Sequence, residues 1–439
     1  MQKIFDIVGI GFGPSNLSLA AAIHESCDSS LDVVFLEKQP EFYWHKDMLL
    51  DGAEMQISFL KDLATSRNPS SSFTFLNYVH EQGRLSQFIN LKKFFPSRVE
   101  FNNYLTWVAE RLRKYVQYNT FVTQVTVFEH HLKDVLQIHY QDTRTGKESS
   151  ILAKNIIIAT GGTPSIPNGV TYAEDSHKIW HTNRYLSKLE AYKQAPDKPY
   201  CFAVVGRGQS AAEIAYDLYK QFPNAQVNCL HRNFSYKPSD DSPFANQVFD
   251  PELVSSFYNS SSFSRSAFLD SYQDTNYSVV DLELIEKLYR VDYDDRIVKK
   301  QRLHWLPFTE LKGLKEEQNV VTMNLRNVQN NNIHSLTVDA VILATGYHFN
   351  YPLSLLSTLE EDLVMNANRI PRVSRHYQLE TSPSLKAGIY VQGCNEHTHG
   401  LTETLLSINA IRANDILQSI LASRLNENKH SEPLYVKSA

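Results

Sequence analysis

Ile4-Phe5-Asp6-Ile7-Val8-Gly9-Ile10-Gly11-Phe12-Gly13-Pro14-Ser15-Asn16-Leu17-Ser18-Leu19-Ala20 is the stretch whose reading decides the fold. Ile4 to Val8 is a short apolar run suited to a strand covered on both faces, and the apolar residues from Leu17 onward read as a helix. Between them, Gly9, Gly11 and Gly13 let the backbone approach a ligand closely, while the helix N terminus offers unpaired amide donors and the positive end of its dipole. Pro14 replaces the third glycine of the usual pattern, a departure that suits a first helical turn. The next strand-like run, Val33-Val34-Phe35-Leu36, ends in Glu37, whose carboxylate can accept hydrogen bonds from ribose hydroxyls. Glycines alone are equally compatible with a plain tight turn. Strand, helix and Glu37 together point to a pyrophosphate cradle.

The pattern recurs in the middle of the chain. Gly206-Arg207-Gly208-Gln209-Ser210-Ala211 follows the run Cys201 to Val205 and precedes a helix from Ala212 to Tyr219. Its next strand, Gln226 to Leu230, ends in His231-Arg232 instead of an acid. An arginine there can clasp a 2′-phosphate that an acid would repel, which favours NADPH over NADH. The alternative for Arg232 is a solvated surface charge. Two further runs, Asn155 to Ile158 and Ala340 to Leu343, lead into Ala159-Thr160-Gly161-Gly162 and Ala344-Thr345-Gly346. Each looks like a strand end returning to a nucleotide sheet.

That order predicts an α/β chain with two Rossmann-like dinucleotide-binding domains, the second inserted in the first, and a small substrate-binding region. The expected divisions are 1–165, first part of the first domain; 166–337, second domain with substrate-binding segments; 338–425, second part of the first domain with a C-terminal helix; and 426–439, a flexible tail. Pro164 to Pro167 makes a crossing point between domains, and Ser255 to Ser266 reads as a loop. Leu401, Leu405, Ile408, Ile411 and Ile416 follow near-helical spacing, so a terminal helix over 401–421 should pack on the first domain.

Composition narrows the function classes. With 439 residues, 42% of them hydrophobic, the chain should divide into two or three domains. A formal charge of -5 with scattered basic residues gives no field to gather nucleic acid. Four cysteines, Cys27, Cys201, Cys229 and Cys394, form no Cys-x-x-Cys pair, which fits a reducing, cytoplasmic setting. A secretory leader pattern is not recognised, nor is an uncharged apolar stretch of about 18 residues, so no membrane association is expected. Among sixteen histidines, Glu129-His130-His131 and His397-Thr398-His399 are the clusters to test. If the second is extended, His397 and His399 share a face with Glu396 or Glu403 nearby, but a closed metal site needs four well-placed ligands and no metal is expected.

Beyond the cradles, the chain resembles a known family from about Phe5 to Ile420. The matching segments are Gly9 to Asn16, Phe42-Tyr43-Trp44-His45, Met55 to Leu63, Asp241 to Asn246, Thr275-Asn276-Tyr277, and His399 to Ser407. They resemble the single-component N-hydroxylating flavin monooxygenases of siderophore biosynthesis, the L-ornithine N5- and L-lysine N6-monooxygenases, with the ornithine enzymes nearest. The resemblance implies FAD in the first cradle and NADPH in the second. It also implies a C4a-hydroperoxyflavin whose distal oxygen is attacked by an unprotonated primary amine, with dioxygen as co-substrate. Gln56 would sit beside the flavin and nicotinamide. Lys61 and Asn246 would hold the carboxylate and backbone end of the amino acid, Asn276 would meet its side-chain amine and the cofactor ribose, and Ser407 would lie near the substrate.

By the same resemblance Gln56 and Asn276 carry the catalytic positioning. Trp44, His45 and Tyr43 would wall the flavin, and Thr345 and Gly346 would join Gly9, Gly11, Gly13, Pro14, Glu37, Gly206, Gly208, Gln209, Ser210 and Arg232 in binding cofactors. Plain readings stay open beside these: core packing for the aromatics, turn stabilisation for Asn246 and Asn276, and an exposed strand-end position for Lys61. Ornithine leads as substrate, followed by lysine, then putrescine, cadaverine or histamine. A homo-oligomer, tetramer or dimer, is implied as well. A disulfide reductase would need a redox cysteine pair, and a nonenzymatic nucleotide sensor would have no reason for the Gln56 to Lys61 segment.

Overall fold

The structure, a computed structural model, describes residues 2–26, 30–128 and 134–431, with side chains described as far as Leu425. The first segment runs β1 (Ile4–Ile10), α1 (Pro14–His24), β2 (Val33–Leu36), α2 (Phe75–Glu81), α3 (Leu85–Leu91), α4 (Arg98–Arg111), β3 (Val116–Gln117), β4 (Thr120–Val127), β5 (Leu136–Asp142) and β6 (Glu148–Ile158). β1 lies between β2 and β6, parallel to both, so that Gly9 stands level with Phe35 and Ile157. Strand alternation divides its side chains. Ile7 joins the core formed with α1 and α4, while Val8 and Ile10 join a second core with Ile156, Ile158 and the β4–β5 hairpin. Burial on both faces is why this run reads as continuously apolar.

The chain then crosses through β7 (Thr163–Pro164) into β8 (Ile179–His181), α5 (Tyr185–Lys193), β9 (Cys201–Val205), α6 (Gln209–Gln221) and β10 (Gln226–Leu230). α7 (Pro251–Asn259), α8 (Ser262–Tyr272) and α9 (Leu282–Ile297) follow, then β11 (Leu303–Leu306). An antiparallel trio comes next, β12 (Thr309–Glu316), β13 (Val321–Asn327) and β14 (Ile333–Val338), and then β15 (Ala340–Leu343) and β16 (Tyr347–His348). The second sheet is all parallel, ordered β11-β10-β9-β15-β8.

Two expectations change here. β15 belongs to this second sheet, between β9 and β8, so the chain turns back to the first domain after Leu343 and not at residue 338. The stretch Ser255 to Ser266 is not a loop; it spans most of α7 and the start of α8. Pro251 opens α7, Val254 and Phe257 are buried, and the Phe257 ring meets Phe268 at 5.5 Å. Ser261 caps α8 by accepting from Ser264 N, so a serine-rich composition here marks a cap and an exposed face.

The way out and the way back are hydrogen-bonded to each other. β7 and β16 pair antiparallel, Thr163 with His348 and Pro164 with Tyr347. Ser165 N donates to Gly346 O at 2.9 Å, and the Thr345 hydroxyl donates to Ser165 O. Past this point β17 (Gly388–Val391) rejoins the first sheet parallel to β6. β5 pairs with Glu148 to Ala153 of β6 and β17 with Asn155 to Ile158, so two strands divide one edge of β6 between them. α10 (Glu396–His399) and two short 3-10 turns, Leu401–Thr404 and Leu406–Ile408, lead to α11 (Asn409–Ser431), which packs on α1. The terminal helix therefore starts at Asn409 and not at 401, and its backbone continues past 426 to Ser431. The rest of the expected tail lies outside the described residues. Among the described residues no helix is long and apolar enough to cross a membrane.

Candidate functional site

Gly11 has φ +87°, and a Cβ there would stand 2.5 Å from the Ala159 carbonyl oxygen. At Gly9 a Cβ would enter the Phe35 ring at 2.0 Å. Only glycine lets β1 turn so tightly between its neighbours. Gly13 differs, because nothing lies within 4 Å of where its Cβ would be, which leaves the start of α1 open. Pro14 fills the first turn, and the first helical bond is Leu17 N to Gly13 O at 2.9 Å, so the Ser15 and Asn16 amides have no partner within the helix. An open concavity edged by free amides is what a pyrophosphate requires. Glu37, at the end of β2, accepts from Phe12 N at 2.7 Å and from Gln39 N at 2.8 Å. Those bonds aim the carboxylate beside the cradle, and each oxygen keeps a lone pair for a hydroxyl donor.

His45 sits in the left-handed region at φ +48°, with its ring 4.9 Å from that of Trp44, which in turn meets Phe101 at 5.9 Å. His45 is solvent-exposed beside this aromatic pair. Desolvation by the protein around it, and then the nearby Arg98 charge, lowers its imidazole to about 4.

The second cradle is built on the same plan. Gly206 has φ +144°, and a Cβ there would lie 2.1 Å from the Ala344 carbonyl oxygen. Gly208 precedes Gln209 and Ser210, the first two residues of α6, and Ser278 Cα lies 3.6 Å from where a Gly208 Cβ would be. The Asn276 to Ser278 segment thus covers the turn. Arg232 follows the end of β10, parallel neighbour of β9, and is exposed with no ion pair among the described residues. Thr345 and Gly346 belong to the paired crossing: the Gly346 carbonyl meets His181 Nε2 at 2.9 Å in addition to Ser165 N.

Gln56 connects the two halves. Its Nε2 donates to Asp281 Oδ1 at 3.0 Å, and Asp281 Oδ2 accepts from Gln209 Nε2 at 2.8 Å. The Gln209 side-chain Oε1 accepts from Asp281 N at 2.9 Å. Two hydrogen bonds therefore lead from the first domain to the first residue of the second cradle's helix. The Asn276 side-chain amide makes no hydrogen bond among the described residues, but its neighbour Tyr277 donates to Glu396 and shares a hydrogen bond with Thr404 Oγ1 at 2.7 Å. Burial raises both the Tyr277 phenol and the Glu396 carboxyl above their ordinary values.

Ser407, three residues beyond Thr404, is buried, and its hydroxyl has no partner among the described residues. Such a group is one that a bound molecule satisfies. Lys61 is half-buried and forms no ion pair among the described residues. The adjacent Asp62 is no counter-charge, since its carboxylate accepts from the amides of Ala64, Thr65 and Phe75 at 2.9, 2.6 and 2.7 Å. The Lys61 ammonium is thus available to an incoming carboxylate. Asn246 donates to Asp241 O at 2.7 Å, the turn-stabilising role, within a 3-10 turn that packs on Leu401–Thr404.

The pattern of residues gave no sign of a charged pair behind the first cradle. Arg412 and Glu403 are 1% and 0% exposed at their side chains and meet at 2.9 Å. Arg412 also donates to Gln392 Oε1 at 3.0 Å, Asn409 Oδ1 at 2.6 Å and Ser15 Oγ at 2.8 Å, the last in the opening turn of α1. Arg412 stands four residues from both Ile408 and Ile416, on the helix face expected to be apolar, and that spacing was the one available signal. The His397-Thr398-His399 segment is a helical turn, not extended chain. His399 stacks on Tyr377 at 4.3 Å and shares a hydrogen bond with Arg375 O at 3.2 Å, and burial pushes it down to about 3. Among the described residues no three histidine, cysteine or carboxylate side chains converge as a metal site. Glu129-His130-His131 and Cys27 lie outside the described residues.

Three comparisons bear on this geometry. The family model described as L-lysine 6-monooxygenase/L-ornithine 5-monooxygenase matches residues 3–349. An L-ornithine N(5)-monooxygenase of Aspergillus oryzae is 38% identical over 95% of this chain and 89% of its own. An ornithine N-hydroxylase of Kutzneria sp. 744, solved with reduced FAD, NADP+ and L-ornithine, superposes with a TM-score of 0.92 at 38% identity, covering 96% of this chain and all of that one. An ornithine hydroxylase of Pseudomonas aeruginosa superposes at 0.89, with 35% identity and coverage of 96% and 100%.

Proposed function

Because the chain belongs to the L-lysine 6-monooxygenase/L-ornithine 5-monooxygenase family, we propose that it hydroxylates the side-chain nitrogen of L-ornithine for siderophore synthesis, using dioxygen, FAD and NADPH. The observation that supports this reading is the Gln56–Asp281–Gln209 bridge, which ties the first domain to the opening residue of the second cradle's helix. FAD held in the first cradle would supply the redox chemistry that activates dioxygen, with NADPH as the reductant.

The chain's own residues hold the reactants. Gly9, Gly11, Gly13 and Pro14 with the α1 amides hold the FAD pyrophosphate, Glu37 its ribose, and Trp44 and His45 wall the flavin. Gly206, Gly208, Gln209 and Ser210 would hold NADPH, with Arg232 offered to its 2′-phosphate, and Thr345 and Gly346 would serve the cofactors from the paired crossing. Lys61 offers its unpaired ammonium to the ornithine carboxylate, and Asn246 steadies that end from the turn against Leu401–Thr404. Asn276 meets the reacting amine with an amide. An amide oxygen accepts an N–H without adding negative charge, so it does not favour the protonated amine as a carboxylate would. Ser407 gives its buried hydroxyl to the same site.

The fuller reading is a cytoplasmic homo-oligomer. The described cysteines are unpaired, and Ile89, Leu91 and Phe94 each expose more than half their surface. The test is to incubate protein, FAD and NADPH with L-ornithine, L-lysine, putrescine, cadaverine and histamine, and to measure hydroxylamine and peroxide separately. Hydroxylamine formed with ornithine above the others supports the reading. Peroxide alone with every amine would refute it.

A further inference from the structure

Gln56 has an amide whose two ends are chemically opposite, and the structure decides which end faces out. Asp281 Oδ1 can only accept, so the bond at 3.0 Å must come from the Gln56 NH2 group. Gln56 Oε1 is then the exposed end, with no hydrogen-bond partner among the described residues. Asp281 is itself held at two points by Gln209, whose Nε2 donates to Oδ2 at 2.8 Å and whose side-chain Oε1 accepts from Asp281 N at 2.9 Å. Gln209 Nε2 also donates to Glu213 Oε1 at 3.0 Å, and Glu213 takes the Arg98 fork at 2.9 and 2.7 Å. Arg98 completes the chain on Met48 O at 2.9 Å, in the segment that follows Trp44 and His45. Every amide and carboxylate in this row has its polarity set by the next one, and its middle links Asp281, just before α9, to Gln209 and Glu213 on α6.

We infer that Asp281 is a positioning residue for the reaction, fixing Gln56 with its carbonyl oxygen outward as an acceptor and locking that orientation to the second cradle through Gln209. The inference rests on the proposed function for the identity of what Gln56 meets. The carboxamide of a nicotinamide presents an N–H, and a carbonyl turned outward can accept from it where an NH2 group turned outward cannot.

The test uses the FAD-loaded enzyme and reads NADP+ affinity by titrating the flavin absorbance, alongside the hydroxylamine formed per NADPH oxidised. D281N can present its own NH2 to Gln56 and so releases the amide to turn over; NADP+ affinity is expected to fall about tenfold, the effect of one hydrogen bond mismatched. Q56E sets two carboxylates against each other and is expected to lose at least as much. Combining Q56E with D281N restores a donor facing an acceptor and leaves an oxygen outward, so affinity should return most of the way. Gln56 is exposed, so Q56E tolerates the change without unfolding, and melting temperatures of all three variants separate a folding defect from a binding one. Wild-type affinity in D281N, or a double variant no better than Q56E, overturns the inference. The affinity arm is read without any amine, so it stands even if the ornithine assignment fails.

Discussion

Replacing Arg412 by methionine should destabilise the first domain and loosen its hold on FAD. Methionine keeps most of the buried stem, so the loss is electrical, not a cavity. It strips the carboxylate of Glu403, fully buried, of its 2.9 Å counter-charge, and leaves Gln392, Asn409 and Ser15 each short of one donor. Breaking one side of a buried pair costs about 3–5 kcal/mol, which at about 2–4 °C per kcal/mol lowers the transition of a domain this size by roughly 6–20 °C. Because Ser15 lies in the opening turn of α1, FAD retention should fall with it. The assay is thermal unfolding followed by flavin fluorescence, with the flavin-to-protein absorbance ratio measured after gel filtration. Removing the stranded acid as well, in R412M/E403M, should recover much of the loss, since an apolar pair has no orphan charge. An R412M melt within about 2 °C of wild type, or a double variant melting below the single one, would refute the reasoning.

Lys61→Ala removes a charge-assisted contact and should raise KM for ornithine about 10–100-fold while NADPH oxidation continues, as initial rates of hydroxylamine formation would show. Arg232→Ala should weaken NADPH by a similar factor and leave NADH unchanged, so the ratio of kcat/KM for the two nucleotides is the measurement. His399 is neutral in the fold, with its titration pushed down to about 3, whereas the unfolded chain binds a proton near 6.5. Stability is therefore full above about 6.5 and declines as pH falls toward 3, and His399→Gln should flatten that decline between pH 7.5 and 5 in melting experiments.

Both cradles were legible because each rests on neighbours in the chain: a run buried on two faces, a turn that only glycine can make, and a helix start. The place of Ala340 to Leu343 was not, since Ala-Thr-Gly follows β6 and β15 alike and nothing local tells which sheet a parallel strand joins. Ser255 to Ser266 misled for the opposite reason. Its serines are caps and surface, and the buried Val254 and Phe257 that hold α7 in place are too few to announce a helix. The roles proposed for Asn276 and Ser407 rest on resemblance alone, and that of Lys61 on resemblance and on a lone positive charge in a mostly apolar segment. What makes Lys61 and Ser407 distinctive, an unpaired ammonium and an orphan hydroxyl, is a property of surroundings drawn from distant segments. The Gln56–Asp281 contact spans 225 positions and the Arg412–Ser15 contact 397, beyond the reach of any periodicity.

The antiparallel pairing of Thr163–Pro164 with Tyr347–His348 brings the borders of the inserted domain together, as at the base of a hairpin. Every strand of the host sheet, from β1 to β6 and then β17, lies outside that border. In the path of the chain the nucleotide module is therefore a single insertion, so neither sheet is threaded through the other. Packing across the border ties the two together all the same: Met48, Leu50 and Ala53 lie in the inserted domain's core, Arg98 pairs with Glu213, and Tyr277 donates to Glu396.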